Sequence, residues 1–192
     1  SGLNARQFHK YWKVESESPD YKVTFLGDTV EILSPKGLTL WRKEKMSGKV
    51  TIEYDACVVV EVEGDRLSDL NCFWMASDPQ YPDNIWKREK WRSGIFLNCY
   101  SLQLYYMGYG GNHNSTTRFR RYDGNEAAIT NAKARPAILK EYTDADHLLE
   151  ANKWYHIKIT NENNRVSYYI NGVRLVDFRD AAPLTEGWFG FR

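Results

Sequence analysis

The sequence predicts an all-β domain spanning residues 1–192, built as a sandwich or a barrel. Three observations carry that expectation. Strand-like alternation of apolar and polar residues recurs along the chain. No stretch holds a capped 3.6-residue period over three turns. Aromatic residues make up 15% of the chain (7 Trp, 13 Tyr and 8 Phe), which suits both β-structure and flat-ring recognition.

The elements follow in order. Tyr21 to Phe25 and Thr29 to Leu33 flank Gly27-Asp28, a turn dipeptide, and read as a hairpin. Thr51 to Glu63 is a long run of β-formers. Ile52, Tyr54, Ala56, Val58, Val60 and Val62 face one way, and Glu53, Asp55, Cys57 and Val59 the other. Leu70 to Ala76, Ser101 to Gly108 and Ser115 to Tyr122 continue the series, while Asp144 to Asn152 has room for a turn or two of helix. Trp154 to Thr160, Arg165 to Ile170 and Val173 to Phe178 form a meander. Its second turn, Asn171-Gly172, suits a type I′ hairpin, where both central residues need positive φ. Gly187 to Arg192 reads as one more strand. Two long polar stretches, Ser77 to Ser93 and Asp123 to Arg135, have the length of functional or mobile loops.

Composition excludes several classes. Lys and Arg total 26 against 25 Asp and Glu, so the net charge of +1 attracts no partner by itself. No apolar run reaches the roughly 18 residues of a membrane-spanning helix. Cys57, Cys72 and Cys99 are an odd number without C-x-x-C spacing, which argues against a disulfide scaffold or zinc site and for core thiols. No signal peptide is visible, and Ser1-Gly2 is the kind of start an expression tag leaves, so a removed leader stays open.

Asn152-Lys-Trp-Tyr-His-Ile-Lys-Ile-Thr160 followed by Val166-Ser-Tyr-Tyr-Ile-Asn-Gly-Val-Arg-Leu-Val-Asp-Phe178 resembles the meander of concanavalin-like jelly rolls. That superfamily includes legume lectins, laminin-G-type modules, glycoside hydrolases and polysaccharide lyases. Asp69-Leu-Asn-Cys-Phe-Trp-Met-Ala-Ser-Asp78 and Tyr106 to Gly124 extend the similarity to an uncharacterised domain family of bacterial polysaccharide-utilisation systems. The resemblance implies a jelly-roll sandwich of two antiparallel sheets, a secreted, periplasmic or envelope location, and a polysaccharide or oligosaccharide ligand. Such folds usually close with a strand after a segment like Gly-Trp-Phe-Gly-Phe-Arg192. Here the closing strand is trimmed, supplied by Tyr11 to Val14, or replaced by an open edge.

Thr116, Arg118, Arg120 and Tyr122 share one strand face by period two. Two guanidiniums on a sheet face line a wet groove suited to sugar carboxylates or sulfates, or they form an ion-pair ladder with Glu53 and Asp55 on a neighbouring strand. The preceding loop offers Asn112, His113 and Asn114, with His113 the best placed imidazole for proton transfer; ordinary turn chemistry explains the same residues. Trp86-Lys-Arg-Glu-Lys-Trp-Arg92 carries a local charge of +3 between Trp86 and Trp91. Those indoles stack on sugar faces or simply anchor the loop, and no nucleic-acid motif accompanies them.

Three functions remain open. A lyase would neutralise a uronate with Arg118 or Arg120 and with Asn112 or Asn114, moving protons through Tyr122, Tyr106 or His113. A hydrolase would use Glu53 and Asp55, or a loop carboxylate such as Asp123 or Glu126, although Val58 stands where the third carboxylate of the Glu-x-Asp-x-x-Glu pattern would be. A glycan-binding module would use the same arginines with Asn71, Trp74, Trp86, Trp91 and Tyr106 to hold sugar only. No cofactor or metal is implied, since Asp69 and Asp78 lack calcium-loop spacing. Oligomeric state is not legible in the sequence.

Overall fold

Two antiparallel sheets stacked face to face, with Lys22–Leu26 and Thr29–Leu33 as a separate two-stranded sheet, make up the computed structural model, which describes residues 4–192; the Ser1-Gly2 start lies outside the described residues. The strands are Trp12–Ser16 (β1), Lys22–Leu26 (β2), Thr29–Leu33 (β3), Leu38–Arg42 (β4), Met46–Ser47 (β5), Val50–Cys57 (β6) and Leu70–Ser77 (β7). Gln103–Gly110 (β8), Thr116–Asp123 (β9), Ile138–Tyr142 (β10), Trp154–Glu162 (β11), Arg165–Ile170 (β12), Val173–Arg179 (β13) and Glu186–Phe191 (β14) follow. The large sheet runs β1-β4-β14-β7-β8-β9-β10, with β5 also paired to β14; the smaller runs β13-β12-β11-β6. Of the sandwich and the barrel that periodicity left open, the sandwich that the resemblance implies is the observed architecture.

Each predicted hairpin has its physical cause in the backbone. β2 and β3 pair with Leu26 opposite Thr29, leaving Gly27-Asp28 as the loop with Gly27 at φ +68. Between β12 and β13, Asn171 and Gly172 take φ +49 and +80, as the type I′ turn demands. The long run from Thr51 is cut short, however. β6 ends at Cys57 because its partner β11 begins at Trp154, opposite Cys57. Beyond that point the side chain of Asn152 caps both the N–H and the carbonyl of Val60, so Val58 to Val62 leave the ladder and Val59 and Val62 face solvent.

Sequence periodicity missed helix α1 (Ala5–Tyr11), capped by the Asn4 side chain, and strands β4, β5 and β10, and it named the start of β1 only as one possible closing strand. Asp144 to Asn152 holds a single 3-10 turn, Ala145–His147. The final strand is not an edge. β14 lies between β4 and β7, and β1, which begins within the Tyr11 to Val14 segment, sits beyond β4.

The core has two layers. Between the sheets, Trp74, Tyr105, Met107 and Phe119 pack against Tyr155, Ile157, Tyr168 and Val176. A second cluster lies on the other face of the large sheet, where Trp41, Phe73, Leu104, Tyr106, Tyr122 and Trp188 meet Ile85, Cys99, Tyr100, Leu102 and Ala128 from the covering loops. The two polar loops are therefore lids over half of a sheet face, held by apolar anchors within them.

Candidate functional site

The lids leave one strip of the large sheet uncovered. Register places Asn71 of β7 opposite Gly108 of β8, Gly108 opposite Arg118 of β9, and Arg118 opposite Glu141 of β10. Arg192 extends this row on the far side, its N–H donating to the Asn71 carbonyl at 2.9 Å. The next row reads Gly190, Phe73, Tyr106 and Arg120. A polar band thus crosses five strands at the margin of an aromatic floor.

Gly108 makes the dip in that band. A Cβ there would meet the Tyr106 hydroxyl at 2.5 Å, so only glycine lets the phenol lie across the row. Asn71 is buried, donates to the Asp69 carboxylate at 3.3 Å, and has an Oδ1 without any hydrogen-bond partner. Arg118 donates to Glu141 at 2.5 Å, and Arg120 donates to the Pro136 carbonyl at 3.2 Å. Arg192 donates to the Gly94 carbonyl at 2.6 Å and lies over the Phe96 ring, which walls the lid side. Arg118 and Arg120 each make one hydrogen bond among the described residues, which leaves most of their donors free.

The alternation predicted for β9 holds: Arg118, Arg120 and Tyr122 share the outer face with Thr116. Their expected ladder with Glu53 and Asp55 does not exist, because β6 belongs to the other sheet. Tyr122 packs against Tyr100, Tyr106 and Phe73, and burial pushes its phenol well above the usual tyrosine range. Burial likewise raises Tyr106. A raised pKa keeps both phenols protonated and disfavours them as bases.

In the loop before β9, Asn112, His113 and Asn114 all take left-handed φ, between +51 and +57, which Asn and His tolerate better than other side chains. Asn114 is structural: it donates to the Leu149 carbonyl at 2.9 Å and accepts from the Leu149 N–H at 2.8 Å. Asn112 donates to Thr116 at 3.1 Å. His113 is exposed at the tip of the turn.

Trp74 is a correction. It points into the inter-sheet core at 0% exposure, stacked on Phe119 and Tyr168, and reaches no surface. Trp86 is half-buried, edge-on to Trp188, with Lys13 over its ring. Trp91 is exposed, but the guanidinium of Arg88 lies 4.8 Å from its centroid. The local +3 is largely spent within the protein. Arg88 bridges Asp78 (2.7 Å) and Glu126 (2.6 Å), joining the two lids, and the buried Arg92 binds Glu15 of β1. Asp78 is thereby committed to Arg88, and Asp69 to Ser68, Arg66 and Asn71. Burial pushes the Cys72 and Cys99 thiols up to about 12, as core thiols require.

Glu53 and Asp55 lie on the outside of the small sheet, away from the arginine row, and hold His156 between them. Nδ1 is 2.8 Å from Asp55 and Nε2 3.2 Å from Glu53. The hydrogen bond to Asp55, then that to Glu53, raises the His156 pKa. The charged imidazole is therefore favoured in the folded state. Its small stabilisation is complete below the ordinary histidine value of about 6.5 and disappears as pH rises through the raised one. An NMR titration of His156 should show a midpoint above that of an unfolded chain, and Asp55→Asn should lower it. A midpoint at or below the ordinary value would contradict the bracketing.

Arg192, Glu141, Gly108 and Phe96 were not anticipated as site residues. Gly190 and Arg192 two apart in the last strand were a readable signal; Glu141 had none, since β10 has only 5 residues and none of them is buried.

Residues 32–192 match the profile of a family described as a domain of unknown function, DUF6250. No curated protein matches the chain. A Bacillus subtilis protein of unknown function with a galectin-like fold superposes with a TM-score of 0.72 at 16% identity, covering 98% of this chain and 84% of that one. Carbohydrate-binding module CBM66 from B. subtilis gives 0.57 at 17%, covering 93% and 84%. An endo-β-1,3-glucanase from Pyrococcus furiosus gives 0.55 at 11%, covering 98% and 77%. At such identities the likeness establishes the fold, which is the concanavalin-like jelly roll that the meander resembles.

Proposed function

The chain belongs to the DUF6250 family of domains of unknown function, and from its own residues we propose that it is a glycan-recognition module. It holds an acidic sugar unit against the uncovered strip of the large sheet. The observation that carries this reading is the row Arg192, Asn71, Gly108, Arg118 and Glu141 across five adjacent strands, dipped at its centre by a glycine. Guanidinium forks match carboxylates and sulfates bidentately, and the amide and phenol beside them suit sugar hydroxyls. The names of two structural neighbours, a carbohydrate-binding module and a glucanase, point toward the same ligand class. Recognition is favoured over catalysis because the acid and base candidates do not converge: Tyr122 is buried, burial raises the Tyr106 phenol, and Glu53 and Asp55 lie on the other sheet. This reading also puts the protein in the secreted or envelope space where such polymers occur; among the described residues no helix is long and apolar enough to cross a membrane.

Native gels containing polygalacturonate test it, with reducing ends and ultraviolet absorbance followed in parallel. Retardation of the wild type, and an affinity at least tenfold weaker in the Arg118→Ala/Arg120→Ala variant, is the expected result. The Arg118–Glu141 pair is part-exposed, so its loss should cost no more than about 1 kcal/mol and leave the near-ultraviolet circular dichroism unchanged. Release of reducing ends or of unsaturated uronate by the wild type would replace this reading with hydrolysis or elimination. Unfolding of the variant would make the arginines structural.

A further inference from the structure

We propose that the outer face of the small sheet is a second, separate surface for an acidic polysaccharide chain. Three rows cross this face by register: Arg165 opposite Arg179; Thr160, Ser167 and Asp177; and Lys158, Tyr169 and Arg174. Like charges directly opposite on neighbouring strands are destabilising, so the Arg165/Arg179 pair is a cost that the sandwich does not need. Asp177 is the carboxylate at the centre of the cluster; by register Glu162 stands opposite Arg165, and Glu53, which is bonded to His156, stands opposite Lys158. Asp177 accepts two hydrogen bonds from Arg165, at 2.7 and 2.9 Å, and lies 3.5 Å from Arg174. Its acceptors are thereby largely used. The remaining donors of Arg174, all those of Arg179, and the Lys158 ammonium are left for something anionic from outside. Glu162 lines the same groove opposite Arg165, and its charge is met by Lys49 at 3.2 Å.

The shape agrees with the charge. A groove of about 320 Å³ runs along this face, with Thr160, Ser167 and Tyr169 among its lining and the amides of Asn163 and Asn164 at one end. Hydroxyls and amides between two cationic ends are partners for sugar hydroxyls between acidic substituents. Four residues of strand separate Arg165 from Tyr169, so the cationic ends stand about 13 Å apart. An extended polymer carrying an acidic group on every sugar or every second sugar can meet both. A single-stranded nucleic acid fits less well, because Lys158 lies over Tyr169, 5.9 Å from its centroid, and no free ring remains for base stacking. A membrane surface fits less well again: the groove is lined by no large aliphatic or indole side chain, and the exposed Trp154 of the same face lies four residues along β11 from Lys158.

The surface is independent of the arginine row on the large sheet, and calorimetric titration with tetragalacturonate at low salt separates the two. The expected result is a binding event, weakened at least tenfold by Arg174→Gln/Arg179→Gln and unaffected by Arg118→Ala/Arg120→Ala. If the large-sheet row also binds, the wild type shows two sites per chain and each double variant loses one. If that row fails, the wild type shows one site, lost only in Arg174→Gln/Arg179→Gln. Arg174 and Arg179 are exposed, and glutamine keeps part of each stem, so both variants should fold; near-ultraviolet circular dichroism checks this. Titration unchanged by Arg174→Gln/Arg179→Gln overturns the proposal. So does equal, arginine-dependent binding of an oligothymidylate or of phosphatidylglycerol vesicles, which would make this face an unselective cationic surface.

Discussion

Glu15→Ala is expected to lower the free energy of unfolding by about 3–5 kcal/mol, the cost typical of stripping one partner from a buried ion pair. Arg92 has 0% exposure and Glu15 5%. The Arg92 Nε lies 3.0 and 3.1 Å from the two Glu15 oxygens and its Nη2 2.7 Å from Oε1, while the Gly94 N–H donates to Oε2 at 3.0 Å. Removing the carboxylate leaves a buried guanidinium against Trp41 and frees the Gly94 N–H. The damage should be local first, because this pair ties the lid from Ser77 to Ser101 onto β1. Urea denaturation measures the global loss, and limited proteolysis should find new cleavage within that lid. Glu15→Gln, which retains an acceptor for Gly94, should lose less than Glu15→Ala. A loss under about 1 kcal/mol for Glu15→Ala would show that the lid is held by its apolar anchors alone.

Trp74→Ala should cost a similar amount, about 3–5 kcal/mol, but for a different reason. The indole fills the space between the sheets, 5.7 Å from Tyr105, 5.9 Å from Phe119 and 6.4 Å from Tyr168 by ring centroids. Deleting it leaves a cavity that three large rings from two sheets cannot close together. Chemical denaturation should report the loss, and the folded fraction should bind acidic glycan as the wild type does. If binding fell while stability held, Trp74 would have to reach the ligand, contrary to its burial.

Trp74 also marks where sequence reasoning stops. Asn71 and Trp74 were both named as sugar-holding residues although period two sets them on opposite faces of β7, and nothing local says which face meets the second sheet and which meets the lids. The C-terminal meander and the β2–β3 hairpin were legible because turn chemistry is local: Asn171-Gly172 and Gly27-Asp28 supply positive φ where the chain must reverse. The alternation of Arg118, Arg120 and Tyr122 was legible for the same reason. Their fates were not. Tyr122 is buried because Tyr100, far from it in the strand pattern, folds over it, and the Nε of Arg118 is held by Glu141 on a strand with exposed residues and no readable period. The basic Trp86–Arg92 segment looked like a ligand surface because the carboxylates that bind it, Glu15, Asp78 and Glu126, come from three other parts of the chain.

β14 slots between β4 and β7, and this position has a consequence for how the molecule assembles. β1 and β4 join the rest of the large sheet through β14 alone, with Leu40 opposite Phe191 across most of the chain's length. Until residues 186–191 arrive, β4 and β7 each present an open ladder of unpaired backbone groups, and the indole of Trp188 has not reached the second core. So non-local a pairing is slow to form, because loop closure must be completed before any contact compensates for it. Insertion of this one strand is thus the natural late step of folding, and the two waiting edges are where a partly formed chain is most open to pairing with another.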